Sequence, residues 1–99
     1  MNSKEGNQPD DLELILAISE TDLTKDSALR LAKVLELKYG LKMRIVGRRK
    51  LLELGEKPFT PQILLMRRGE IVERYVGVPL NYRILQKEIE TDIDRLRGG

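Results

Sequence analysis

The residue types that most often carry out protein chemistry are missing from this chain of 99 residues, which contains neither cysteine nor histidine. Without cysteine there is no thiolate nucleophile, no disulfide and no thiolate metal ligand. Without histidine, the usual proton carrier at neutral pH and the commonest nitrogen ligand are absent too. Zinc and iron–sulfur sites are therefore excluded, and no cofactor is expected.

Carboxylates are the remaining candidates for catalysis. They occur at Asp10 and Asp11, at Glu20 and Asp22, and along residues 88–94. The last group is distributed around a predicted helix with Lys87, Arg95 and Arg97 nearby, which is typical of a solvated helix face. No two acids are combined with a convergent base or metal ligand, and there is no glycine-rich phosphate loop. The sequence therefore predicts a protein that is not an enzyme.

A basic cluster offers a different kind of site. Its members are Lys42, Arg44, Arg48, Arg49 and Lys50. Such a cluster could neutralise the phosphates of a nucleic acid, although no aromatic residue lies between its members to stack on bases. Positive charges on a predicted edge strand also discourage aggregation between sheet edges. Nucleic-acid binding is thus an alternative function rather than the first choice.

The overall composition indicates one small globular domain. Basic and acidic residues number 18 and 16, so the net charge is only +2 and the surface field is weak. A charged fraction of 34% also fits a thermophilic source. No stretch resembles a signal peptide or a membrane span, which predicts a cytoplasmic protein.

Hydrophobic patterns predict the first half as strand, helix, strand. Residues 1–11 have the composition of a disordered leader, and a single domain is expected over residues 12–97. Alternation over residues 12–18 fits a central strand covered on both faces. The following helix is capped by Thr24 and ends at Gly40. Residues 41–46 alternate again and form a parallel partner, with Leu41, Met43 and Ile45 on one face.

The second half is predicted as a short helix, a hairpin and a final helix. The short helix covers residues 49–54, and the hairpin strands flank residues 67–69, where Gly69 supplies a positive φ. Asn81 caps the last helix. The order β-α-β-(short α)-β-β-α predicts an α/β fold with a four-stranded mixed sheet and helices on both faces. The two longer helices are expected on opposite faces.

Residues 59–77 are similar to the second half of the thioredoxin and glutaredoxin fold. Thr60-Pro61 precedes an apolar strand, a glycine-containing turn and a second strand that ends in Tyr75-Val76-Gly77. Together with the order of elements, the resemblance to this minimal thioredoxin-like fold covers roughly residues 12–96. It implies a cis peptide bond before Pro61.

The resemblance also implies where a site lies. In these families a Cys-x-x-Cys motif between the first strand and first helix faces the cis-proline, and counting back from Gly40 places residues 22–25 there. The implied partner-binding residues are Thr21, Asp22, Thr24, Lys25, Thr60 and Pro61. In relatives, the residue before the cis-proline pairs with an extended peptide or glutathione, and members without cysteines often act as binding or scaffolding domains. The open alternative is an ordinary helix cap with solvated charges.

A weaker resemblance links the chain to the bacterial clock protein KaiB family. Those proteins combine a thioredoxin-like first half with a segment comparable to residues 59–62, but their second half is rich in helix. The hairpin pattern over residues 63–76 ranks this relation lower. It leaves a KaiB-like regulatory role of a degenerate redox-family protein as a further alternative. The protein or peptide partner and the oligomeric state are not identified by the sequence.

The first prediction concerns redox activity. Because the chain has neither an attacking nor a resolving thiol, the purified protein should not accelerate the reduction of a protein disulfide by a small thiol. The measurement is the reduction rate with and without the protein, alongside a preparation of an unrelated cysteine-free protein. A rate above this background that persists after removal of contaminating reductases would contradict the prediction.

Overall fold

The computed structural model describes residues 11–98, which form one sheet and three helices. The elements are β1 (Leu12–Ala17), α1 (Lys25–Tyr39), β2 (Lys42–Val46), α2 (Arg48–Glu53), β3 (Gln62–Arg67), β4 (Glu70–Val76) and α3 (Arg83–Leu96). This is the predicted order. Most of the predicted leader, residues 1–10, lies outside the described residues, and Asp11 pairs with Arg68 at 3.1 Å.

The four strands are arranged in the order β2-β1-β3-β4. The central strand β1 is parallel to β2 and antiparallel to β3, which is antiparallel to β4. In this register Ala17 lies opposite both Val46 and Gln62, and Gln62 lies opposite Val76. These four residues mark one end of the sheet, which we call the Ala17 end. Lys42 is opposite Glu13, toward the other end.

β1 is buried on both faces, as its alternating pattern predicts. One face, which includes Leu14 and Leu16, packs in a large core with buried side chains of both α1 and α3. The other face, which includes Ile15 and Ala17, packs on Leu51 of α2. Helices therefore cover both faces of the predicted four-stranded mixed sheet.

The expectation that the two longer helices lie on opposite faces is wrong. Leu31 of α1 and Ile89 of α3 belong to the same core, on the same face of the sheet. That face carries the larger aliphatic surface, and one helix is too narrow to cover four strands. An amphipathic pattern shows that a helix has one buried side, but it does not show which face of a sheet that side covers.

Local turns agree with the sequence at the glycines and differ at two caps. Gly40 ends α1 with φ of 64°, and the hairpin turn has φ of 53° at Arg68 and 82° at Gly69. Thr24 occupies the N-cap position of α1, but its side chain makes no capping hydrogen bond. Asn81 lies one residue before the N-cap of α3, where its Oδ1 accepts from the N–H of Arg83 at 3.2 Å.

A polar cluster attaches α3 to the β3–β4 hairpin. The hydroxyl of Tyr75, a residue only 6% exposed, donates to Asp92 at 2.6 Å. Arg95 donates to Glu73 at 2.7 Å and to Asp92 at 3.2 Å. Burial, followed by the bond to Asp92, raises the pKa of Tyr75 well above its ordinary value of 10.0. The neutral phenol is therefore the form that stabilises this contact.

The second prediction tests this cluster with Tyr75→Phe. Removing a hydroxyl that donates to a carboxylate should lower the free energy of unfolding by about 1–2 kcal/mol, measured by urea denaturation. Tyr82→Phe is the matched control, because no hydrogen bond within residues 11–98 engages its hydroxyl, and it should change the value by less than about 0.5 kcal/mol. Equal effects of the two substitutions would contradict the assignment.

Tyr75→Phe should also change how the free energy of unfolding depends on pH. The unfolded state loses the Tyr75 proton near pH 10.0, while the folded state retains it, so folding takes up protons above that pH. The free energy of unfolding of the wild type should therefore fall as pH rises above about 10. The fall should be shallower in Tyr75→Phe, which lacks the group.

Candidate functional site at the Ala17 end

The loop after β1 is held closed by the carboxylate of Asp22. One of its oxygens accepts from the backbone N–H of Ser19 at 2.7 Å, and the other accepts from the hydroxyl of Thr60 at 2.8 Å. The backbone N–H of Asp22 also donates to the carbonyl of Ser19 at 3.1 Å. Asp22 thus connects the loop before α1 directly to the residue before Pro61.

Two further contacts attach a third loop to this pair. The Thr60–Pro61 peptide bond is cis, as the resemblance implies, and the carbonyl of Pro61 accepts from the N–H of Gly77 at 2.9 Å. The hydroxyl of Ser27, in the first turns of α1, donates to the carbonyl of Leu80 at 3.3 Å. We call residues 19–24, 59–61 and 77–80 the site loops. All three lie at the Ala17 end.

The site loops expose apolar side chains and free backbone groups. Leu23 is 98% exposed and Leu80 is 75% exposed, although both are large and aliphatic. Within residues 11–98, no hydrogen bond engages the backbone N–H or carbonyl of Thr60. This combination of free backbone groups and apolar side chains is typical of surfaces that pair with an extended peptide.

The predicted site residues all lie at this end, with different roles. Asp22 and Thr60 are in direct contact, and Pro61 is buried behind them. The hydroxyls of Thr21 and Ser19 lie 3.1 Å apart. Lys25, another of the implied partner-binding residues, is paired with Glu20 at 3.0 Å.

Sequence reasoning missed the two leucines and the loop after β4. A leucine between polar residues gives no periodic signal, so Leu23 was not distinguished from a solvated turn. The glycine that ends β4 was identified, but the backbone bond from Gly77 to Pro61 depends on strand register. The only available clue was the aliphatic–glycine pair Val76-Gly77.

The predicted basic cluster does not form a single surface. Lys42 lies toward the opposite end of the sheet, and Arg44 pairs with Glu13 at 2.9 Å. Lys50 lies 3.7 Å from Glu53. Arg48 and Arg49 have no ion-pair partner in the part of the chain that the structure describes. Because α2 follows directly from β2, these two arginines lie at the Ala17 end.

A shallow groove of about 430 Å³ lies beside the site loops. Its lining residues are Gly55, Glu56, Lys57, Phe59, Gln62, Arg74 and Val76. Arg74 donates to both carboxylate oxygens of Glu56, at 2.9 and 3.0 Å. Gln62 is almost fully buried and donates to the carbonyl of Phe59 at 2.9 Å. The polar groups of the groove are thus mostly satisfied by each other.

Comparisons with solved structures identify the fold. A thioredoxin from Trypanosoma brucei brucei has a TM-score of 0.64 at 12% identity, over 84% of this chain and 75% of that one. Thioredoxin f2 from Chlamydomonas reinhardtii has a TM-score of 0.64 at 17% identity, with 87% and 82% covered. Thioredoxin O2 from Arabidopsis thaliana has a TM-score of 0.63 at 11% identity, with 87% and 75% covered. No family model and no curated protein sequence matches this chain.

The chain therefore has a minimal thioredoxin-like fold without the cysteines of thiol–disulfide chemistry. The described residues contain no cluster of acids that could hold a metal ion. They also include no helix long and apolar enough to cross a membrane. The feature of the Ala17 end that bears on function is the way in which the site loops are joined by hydrogen bonds.

The third prediction tests the contact between Asp22 and Thr60. Asp22→Ala should lower the free energy of unfolding by about 1–3 kcal/mol, and Thr60→Val by about 1 kcal/mol, because each removes a hydrogen bond to the loop carboxylate. Combining the two should cost less than the sum, with a coupling of about 0.5–1 kcal/mol in urea denaturation.

Thr24→Ala serves as the control for this measurement. The Thr24 side chain makes no capping hydrogen bond, so its removal should change stability by less than about 0.5 kcal/mol. Strict additivity of Asp22→Ala and Thr60→Val would show that the two residues do not interact in solution.

Proposed function

We propose that this domain is a non-catalytic protein-interaction module of the cytoplasm that binds an extended peptide segment at the Ala17 end, beside Thr60 and Pro61. The observation that carries the proposal is that, within residues 11–98, the backbone N–H and carbonyl of Thr60 have no hydrogen-bond partner, while its hydroxyl is bound to Asp22. A partner segment would form a short strand pairing with these groups. Backbone hydrogen bonds would supply affinity, and side-chain contacts would supply specificity.

Apolar contacts on the site loops support a protein partner. Leu23 and Leu80 are large, exposed and not needed for the core. Leu80 is fixed near the start of α1 by the bond from Ser27, so its backbone is ordered before a partner binds. Ordered apolar groups reduce the entropy cost of association.

The contacts of Asp22 with Ser19 and Thr60 define the role of its carboxylate in the proposed site. The carboxylate accepts one hydrogen bond on each oxygen, from the N–H of Ser19 and from the hydroxyl of Thr60, and these two bonds join it to its own loop and to the residue before Pro61. Its role in the proposal is to position Thr60. This separates the site from a catalytic one, in which a reactive group would face the ligand.

The fourth prediction is a binding experiment that uses short random peptides displayed on phage. Selection on the wild-type protein should enrich a peptide family, whose affinity is then measured by fluorescence anisotropy. Thr60→Lys should weaken binding at least about tenfold, because the longer side chain obstructs the strand position. Leu23→Ser should weaken it by about threefold to tenfold through the loss of an apolar contact.

Two matched substitutions control for general effects on the surface. Thr91→Lys makes the same exchange on the exposed side of α3, and Leu37→Ser removes a comparably exposed leucine from α1. Both should bind within about twofold of the wild type, as expected for surface positions away from an interface. Failure to enrich any peptide, or full binding by Thr60→Lys, would refute the proposal.

A further inference from the structure

Arg48 and Arg49 are not explained by the stability of the fold. Both are exposed and without an ion-pair partner in the described part of the chain. They also occupy the first turn of α2, which contains no acidic residue. Cations are disfavoured there by the positive end of the helix dipole. Residues that break a local rule without an evident structural gain are candidates for function.

The topology places these arginines beside the site loops. β2 ends at Val46, opposite Ala17, and α2 begins two residues later. β2 is separated from β3 by β1 alone, so the two strand ends lie roughly 10 Å apart. About three residues of extended chain cover that distance. A peptide paired with Thr60 therefore needs only a few more residues to reach Arg48 and Arg49.

The acids of the neighbouring loop do not neutralise the two arginines. Glu20 is paired with Lys25 at 3.0 Å, and within residues 11–98 the carboxylate of Asp22 forms no ion pair with either arginine. Leu52 is exposed, and it follows Arg48 by four residues and Arg49 by three, so the three side chains share one side of α2. Within residues 11–98, this side presents two positive charges without a paired carboxylate, next to an aliphatic side chain.

We infer that the segment bound at the Ala17 end is acidic, and that Arg48 and Arg49 bind its carboxylates while Leu52 contacts an adjoining apolar side chain. The inference rests on the proposed function, since it gives the chemistry of the same partner. Arginine binds a carboxylate through two parallel hydrogen bonds, which favours a defined position along the peptide. A peptide is favoured over a nucleic acid because a net charge of only +2 gives weak long-range attraction to a polyanion and the exposed Leu52 beside the arginines offers an aliphatic contact.

The test measures binding of two forms of an enriched peptide, one with its Asp and Glu residues and one with Asn and Gln in their place. The wild type should bind the acidic form about tenfold more tightly than the amide form. Arg48→Glu with Arg49→Glu should abolish that preference. It should also bind a third form, with Lys in place of the acids, more tightly than the wild type does.

The double variant should fold, because glutamate in the first turn is favoured by the helix dipole, and circular dichroism checks this. The matched control is Lys42→Glu with Lys87→Glu, which makes the same change in net charge at exposed residues away from Arg48 and Arg49. The control should retain the preference for the acidic form, with affinities within about twofold of the wild type.

The outcomes separate this inference from the function on which it rests. If Thr60→Lys blocks binding but the acidic and amide forms bind equally, the proposed function stands and the inference is overturned. If no peptide is enriched, both fail. If a single-stranded oligonucleotide binds instead, with steep salt dependence and loss in Arg48→Glu with Arg49→Glu, the partner is a nucleic acid and the inference is overturned.

Discussion

Burial of β1 on both faces is the constraint on which the rest of the structure depends. Leu14, Ile15 and Leu16 are fully buried, so one side of the sheet must be covered by α1 and α3 and the other by α2. Because β2 is parallel to β1, while β3 is antiparallel to β1 and β4 antiparallel to β3, β1, β2 and β4 end and β3 begins at the same end of the sheet. The Ala17 end therefore collects loops from all four strands, and the site is a consequence of how the core is closed.

The contact between Asp22 and Thr60 gives these loops a defined arrangement without any disulfide. The two residues are 38 positions apart in the sequence, yet a single carboxylate joins their loops. A hydrogen bond to a charged group contributes about 1.5–3 kcal/mol, a substantial share of the 5–15 kcal/mol that stabilises a typical domain. In thioredoxin-like proteins with cysteines this region must allow a thiol to react. Here both oxygens of the Asp22 carboxylate accept hydrogen bonds, while the backbone N–H and carbonyl of Thr60 have no hydrogen-bond partner within residues 11–98.

The sequence predicted what depends on local pattern and missed what depends on distant neighbours. Alternation identified β1, and the required backbone conformations identified Gly40 and Gly69. The apolar side of α3 did not predict which face of the sheet this helix covers, because both faces of β1 are apolar. Thr60 was expected to be a partner-binding residue, but the hydrogen bond from its hydroxyl to Asp22 is set by the register of β1 and β3. Leu23 carried no signal because its neighbours are polar.

Strand register also explains why basic residues that are close in sequence differ in their location and in their ion pairing. Lys42 and Arg48 are close in sequence, but β2 separates them by its whole length, and only Arg48 lies at the Ala17 end. Arg44 is neutralised by Glu13 on the adjacent strand, whereas Arg48 and Arg49 follow the strand's end, where no neighbouring strand offers a carboxylate. With a net charge of only +2, long-range attraction to a polyanion is weak, so selectivity must come from local contacts. In the proposed complex such contacts would come from Arg48 and Arg49, which have no ion-pair partner within residues 11–98, and their distance from Thr60 would limit where the acids of a bound segment lie.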